Sequence, residues 1–241
     1  MLPFKRHIPF LLSLPFASVI FAFFIVPLCL VIMVSFWDYN AYSIIPDFIF
    51  TNYEDVFYGC VKSLPDLCTS FATYLSSLKF VFIVWIITLV IGFMVALFLS
   101  FCVNSLQMQV VLFLLCTIPF WTSNVIRMIS WIPLLGRNGL VNSTLQNAGL
   151  IDAPLEWLLY SQFSVTLAFV HLYTLFMVVP IFNSMMRIDR SLLEAAHDAG
   201  ASTWQTLTNI IIPLSRPGII IGSIFVITIV MGDFLTIGVM G

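Results

Sequence analysis

The chain has 241 residues, 61% of them hydrophobic and 8% charged, with a formal net charge of −2 and a mean hydropathy of +1.10. So apolar a composition excludes a soluble globular domain, and nine cations in all leave no basic surface for nucleic acid. A protein that crosses a bilayer several times remains.

Crossing a hydrocarbon core of about 30 Å takes roughly 20 apolar residues in a helix. Five runs meet that length, near residues 9–34, 80–102, 110–131, 162–186 and 218–238. The first is too long for the apolar region of a cleaved signal peptide, and no small-x-small cleavage site follows it. Cations collect on the cytoplasmic side of membrane proteins. An N-terminus in the cytoplasm puts Lys5, Arg6, Arg187, Arg190 and Arg216 there and leaves only Lys62 and Arg137 in outer loops. Lys79 and Arg127 then sit near outer span ends, where long side chains can reach water. Asp38, Asp47, Glu54, Asp55, Asp66, Asp152 and Glu156 fall outside. They either attract cationic ligands or reflect a topology that keeps cations inside. In the first outer loop, Cys60 and Cys68 either close a disulfide or remain two thiols. Cys29, Cys102 and Cys116 lie in or beside spans and act as small apolar residues.

In the third run, Asn124, Arg127 and Trp131 share a helical face at i, i+3 and i+7. That face is either the wall of a translocation path or a polar packing contact. Trp121 can stack on an alkyl-ammonium or pack in the interior. Pro119 and Pro180 each remove a backbone hydrogen bond and should kink their helices. His171, in the fourth run, reads as a helix-packing histidine, with a role in the pathway as the alternative.

A polar island near 187–217 follows. Ser191 to Glu194 fits a capping box, Gly200 suits a left-handed helix end, and Ser202 to Gln205 fits a second box. Pro213 should limit the second helix. The expectation is two short helices meeting at a glycine corner. Leu193, Ala196 and Gly200 lie along one line of the first, so another backbone can approach closely. A DNA-reading helix-turn-helix has this outline too, but the needed cluster of cations is missing. In the fifth run Asp233 is an ionisable group within a span, which usually faces a partner or a cavity. It either meets a substrate ammonium or pairs with Arg127. The glycines read as scattered, with no G-x-x-x-G pair in a span to support self-association.

There is no Gly-Lys pair and hence no P-loop. No H-E-x-x-H or G-x-S-x-G pattern occurs, and His7, His171 and His197 are dispersed. The sequence therefore proposes no enzyme, metal or cofactor, and any energy must come from a partner.

Glu194-Ala195-Ala196, then Gly200, then Ile210-Ile211-Ile212-Pro213 has the form E-A-A, three residues, G, nine residues, I-x-I-P. This resembles the cytoplasmic signature of permease subunits in ATP-binding-cassette importers, with Ile212 where Leu is usual. Phe120-Trp121-Thr122-Ser123, Arg127, the stretch from Trp131 to Leu140 and Gly232-Asp233-Phe234 are similar to the spermidine/putrescine type of permease. The resemblance runs from about Phe120 to the end, with Leu175 where many relatives carry proline.

The resemblance implies an all-α polytopic membrane protein of the type I importer-permease bundle, one transmembrane domain over 1–241 with its coupling loop at about 187–217. Six spans are usual, so five imply a further one beyond Gly241. Glu194, Ala195, Ala196, Gly200, Ile210 and Pro213 would couple to an ATPase dimer. Trp121, Asn124, Arg127 and Asp233 would line the substrate pathway. A second permease (as a heterodimer), an extracytoplasmic binding protein and the lipid bilayer would complete the partners, without nucleic acid, in a bacterial inner membrane. The implied cargo is a polyamine or related small organic cation. Another small solute, such as an amino-acid conjugate, opine or phosphonate, is the alternative within the class. An ATP-independent secondary transporter or channel is the alternative outside it, and would need an internal repeat or an intramembrane ion path.

Overall fold

The computed structural model describes residues 8–40, 42–58 and 68–241. The chain divides into two compact units, Met1–Tyr74 and Leu75–Gly241.

In the first unit, helix α1 (Ile8–Ile20) passes through a wide π turn (Phe21–Ile25) into α2 (Val26–Val34). Pro27 explains the turn. Its ring lacks an N–H and would collide with the carbonyl four residues back, and a π turn absorbs both defects. From Ser13 to Val34 every side chain is exposed, as lipid-facing residues are. The loop that follows is not irregular. Strands β1 (Asp38–Tyr39) and β2 (Ile44–Ile45) form an antiparallel hairpin, a small departure from an all-helical fold. Asn40 closes it by accepting the amides of Tyr42 and Ser43 at 3.0 and 2.8 Å. Helix α3 (Thr51–Val56) packs back through Tyr53. The Phe36 ring stacks on Phe48 at 4.9 Å and meets Tyr53 at 5.3 Å. The Asn52 amide donates to the Ser35 and Trp37 carbonyls. Cys68 is buried and disulfide-bonded, while Cys60, the partner expected for it, lies outside the described residues.

The second unit carries the core. Helix α4 (Thr69–Leu97) enters it and ends in a π turn (Phe98–Cys102). There Gln109 donates to the Ser100 and Val103 carbonyls, which would otherwise be orphaned at a buried helix end. Helix α5 (Leu106–Thr117) tightens into a 3₁₀ turn (Ile118–Trp121). The chain then breaks. Helices α6 (Asn124–Ile129), α7 (Ile132–Leu135) and α8 (Leu140–Asn147) continue it, turned by 91° from the arm before the break. The third run, read over 110–131 with a kink at Pro119, is thus a bent pair that passes as one span only when its two arms are taken together. Pro119 and the extended backbone at Thr122 and Ser123 end the first arm, and apolar residues on both sides had hidden the corner.

The main support is the pair α9 (Gln162–Met185) and α12 (Ile212–Gly232). Phe169, Leu172, Met177 and Ile181 of α9 and Val226 of α12 are buried. Glycine sets their spacing. A Cβ on Gly222 would stand 2.8 Å from Met177 Sδ, and one on Gly218 would stand 2.8 Å from the Pro180 carbonyl carbon. Gly92 of α4 abuts Met177 as well, where a Cβ would lie 2.8 Å from Cγ. Met177 thus fills the seam of three helices. Gly218 and Gly222 are a G-x-x-x-G pair, contrary to the reading of scattered glycines. They serve packing within the chain. Trp85 of α4 also donates its indole N–H to Ser223 at 2.8 Å. Among the described residues four helices are long and apolar enough to cross a membrane, or five if the bent pair counts as one span.

Candidate functional site

Two regions hold all the expected coupling and pathway residues but Trp121. The first is the polar island. Helix α10 (Arg190–Asp198) starts from Asp189, whose carboxylate accepts the Ser191 amide at 3.0 Å. The box expected from Ser191 to Glu194 does not form, because extended backbone stops at Asp189 and the helix has already begun at Arg190. The Ser191 amide, and then its hydroxyl, hold the Asp189 carboxyl below the usual carboxylate range. At the other end Gly200 has φ +79°, and the Ala201 amide closes onto the Ala196 carbonyl at 2.9 Å. This is the left-handed helix end that glycine adopts cheaply. The second box is present: Gln205 N–H donates to Ser202 Oγ at 3.3 Å, and Ser202 N–H to Gln205 Oε1 at 2.8 Å.

Helix α11 (Thr203–Thr206) does not end at Pro213. It runs through a π turn (Leu207–Ile211) directly into α12. The turn accommodates Pro213 as the one in the first unit accommodates Pro27, so the corner joins one short helix to one continuous helix spanning Thr203–Gly232. Ile210 and Pro213 sit half-buried in that continuation. On α10, Leu193 packs against the core and Ala196 is half-buried. Glu194, Ala195 and Gly200 are exposed, as is Trp204, at 70%.

The second region is a cavity of about 370 Å³ at the far end of α12, lined by Asn124, Val125 and Met128 of α6, Tyr173 of α9, Thr228, Ile229 and Gly232 of α12, and Asp233, Leu235 and Thr236. Helix α12 stops at Gly232 and Asp233 begins a new one, α13 (Phe234–Met240). Asp233 is therefore a helix cap, not a mid-span residue. One carboxylate oxygen accepts the Thr236 amide at 3.0 Å and the other the Thr236 hydroxyl at 2.6 Å. The Tyr173 hydroxyl, buried on α9, donates to the same second oxygen.

Arg127 is not the partner of Asp233. Its guanidinium donates to Asn124 Oδ1, and the ion pair found among the described residues is Arg137–Glu156, exposed at 3.8 Å. The reason is the corner: α6 turns away after Ser123, which places Asn124 and Arg127 on a short six-residue helix beside the cavity. Trp131 falls beyond the end of α6, where its indole donates to His171 Nδ1 at 3.1 Å. Trp121 lies elsewhere, 86% exposed, on an apolar groove with Phe120, Phe176 and Phe225. Asn124 and Asp233 thus share the cavity, Arg127 stands behind Asn124, and Trp121 is apart.

The sequence reading passed over Tyr173, Thr236, Asp189 and Asn142. Asp233-x-x-Thr236 and Asp189-x-Ser191 have cap spacing and were legible. Asn142, buried in α8, ties the Gly136 and Leu155 carbonyls and the Leu155 amide together. Tyr173 carries no local signal, being 60 residues from its partner. Among the described residues no three His, Cys, Asp or Glu side chains group as metal ligands.

Residues 88–241 match the family described as the binding-protein-dependent transport system inner membrane component. The chain belongs to this family. The match begins some thirty residues before Phe120, where the motif resemblance had started, and takes in the last third of α4. It agrees with the apolar helices in making the chain a multi-pass inner-membrane protein. The chain is 37% identical over 171 residues to the spermidine/putrescine transport system permease protein PotB of Escherichia coli (strain K12), covering 71% of this chain and 61% of that one. With PotB of Haemophilus influenzae it shares 35% over 166 residues, covering 69% and 57%. A putative 2-aminoethylphosphonate transport system permease protein, PhnU of Salmonella typhimurium, is 29% identical over 101 residues, covering 42% and 35%. The chain spans about three-fifths of the length of the PotB relatives.

Proposed function

We propose that the chain is the membrane-spanning permease subunit of an ATP-driven importer for polyamines or related small organic cations. The observation that carries the reading is the uninterrupted helix from Thr203 to Gly232. It leads from the exposed glycine corner to the cavity that Asp233 lines. The PotB relatives supply the cargo class, and a carboxylate with three donors already fixed around it suits an ammonium.

In this reading an ATPase dimer docks on Glu194, Ala195, Ala196 and Gly200 from the cytoplasm. Its closure moves α10, and the continuous helix carries the movement past Ile210 and Pro213 to the break at Gly232. A second permease closes the path, an extracytoplasmic binding protein delivers the cargo, and the N-terminus lies in the cytoplasm. Asn124 and Asp233 meet the cargo in the cavity, with Arg127 positioning Asn124. Trp121 acts at a separate point on the pathway.

The test is substrate-stimulated ATPase activity of the assembled complex. Glu194→Lys reverses charge on the exposed face of α10 without touching the core and should lower stimulation by putrescine at least tenfold. At Gly200 a Cβ would meet nothing within 4 Å, so substitution acts through φ alone. A left-handed conformation costs an ordinary residue about 1–2 kcal/mol and Asn less, so coupling should fall in the order Asn, Ala, Val. Full stimulation in Glu194→Lys and Gly200→Val would remove the docking assignment.

A further inference from the structure

An arginine side chain has only donors to offer. Arg127, 8% exposed, spends one on Asn124 Oδ1, and this fixes the asparagine's orientation. With that oxygen turned to Arg127 and one of its two lone pairs used, the amide N–H groups are what Asn124 presents to the cavity it lines. Asp233 lines the same cavity with the opposite character. Its carboxylate only accepts, and the donors from Tyr173 and Thr236 use three of about four lone-pair positions. The cavity therefore has an acceptor pole at Asp233 and a donor pole at Asn124, with the apolar side chains of Val125, Met128 and Ile229 around them. Arg127 stands behind Asn124, with its Nε buried without a partner.

A free diamine fits only half of this. One ammonium satisfies Asp233, but the other brings donors and positive charge toward the Asn124 amide and Arg127. A ligand with one ammonium and a carbonyl satisfies both poles. Sites built to hydrogen-bond a group reject an analogue that leaves their own polar atoms unpaired. We propose that this cavity takes a monocationic amine bearing a carbonyl acceptor, of which a mono-N-acylated diamine is the simplest, in preference to the free diamine. The proposal rests on the polyamine-permease reading and narrows it.

Competition binding to the permease–ATPase complex in lipid nanodiscs, with the binding protein left out, tests it. Radiolabelled N-acetylputrescine is displaced by unlabelled N-acetylputrescine, putrescine or 4-aminobutyrate. N-acetylputrescine should bind about tenfold more tightly than putrescine, the scale of one well-made hydrogen bond. Asn124→Ala should bring that ratio to within about twofold. Asn124→Asp keeps a partner for Arg127 while removing the donors, and should do the same if the alanine variant assembles poorly. Tyr173→Phe loosens the pole common to both amines and should weaken both alike, leaving the ratio unchanged. Putrescine binding as tightly as its acetyl derivative, or a preference that survives both Asn124 variants, overturns this inference and leaves the polyamine reading standing. Tighter binding of zwitterionic 4-aminobutyrate than of either amine, or no binding of either amine, overturns both.

Discussion

Asp233 illustrates how much a single residue's surroundings decide. An aspartate in an apolar run invites an ion-pair explanation, and the one arginine near an outer span end was the natural partner. The carboxylate instead accepts two bonds from Thr236 and one from Tyr173. The cap spacing to Thr236 was present in the sequence, whereas Tyr173 reaches it only through tertiary packing. Asp233→Asn replaces one accepting oxygen by a donor facing two hydroxyls, a loss of about 1–3 kcal/mol. The thermal midpoint of the purified complex should fall. Adding Arg127→Gln should lower it further, because Arg127 bonds Asn124 and not Asp233. Recovery in the double variant would restore the ion-pair explanation. Asp189 makes the parallel case in water. Its carboxyl is held below the usual range by the Ser191 amide and hydroxyl, so its contribution to α10 is complete above its unfolded pKa of about 4. That contribution disappears as pH falls through the lower folded value. Hydrogen-exchange protection of α10 should exceed that of Asp189→Asn at neutral pH, and the difference should close in acid. A difference that stayed constant through the acid range would mean the charge plays no part.

Helices in a membrane protein are easy to find and hard to aim. Apolar length located every long helix, because bilayer thickness sets it. Direction is another matter: hydropathy is blind to the corner at Thr122–Ser123, where both arms are apolar. Proline misled in the opposite sense. Pro213 was taken as a terminator, yet a π turn lets the helix pass it, and this makes the polar island continuous with a span. The joint between α9 and α12 gives a test of how rigid that span is. At Gly222 an added Cβ meets the flexible tip of Met177, with its Cα 3.2 Å away, whereas at Gly218 it meets the Pro180 backbone. A thioether can swing aside and a carbonyl cannot, so Gly218→Ala should destabilise the complex more than Gly222→Ala, by about 1–3 kcal/mol. Equal midpoints would show that α12 slides freely along α9.

The whole molecule turns on whether the bent pair crosses the membrane. Leu106–Trp121 and Asn124–Asn147 pass as a span only when taken together, and with them the crossings before α10 number four, without them three. An even number puts α10 on the side of the N-terminus, the arrangement favoured by Lys5, Arg6, Arg187, Arg190 and Arg216 together. An odd number would put the glycine corner opposite Lys5 and Arg6. Cysteine labelling in a background without native cysteines separates the two, and the structure guides the choice of positions. Asn52 is unsuitable, since its amide bonds the Ser35 and Trp37 carbonyls. Tyr42, 98% exposed, replaces it. Asn104, Asp152 and Ala199 are exposed on the loops before the bent pair, after it and at the end of α10. With the pair crossing, Tyr42→Cys and Asp152→Cys should react with an impermeant thiol reagent in intact cells, and Asn104→Cys and Ala199→Cys only in opened ones. If Asp152→Cys is protected along with Asn104→Cys while Ala199→Cys reacts, the pair dips into the membrane and returns. The glycine corner would then face away from ATP, and the proposed coupling would have no partner to receive.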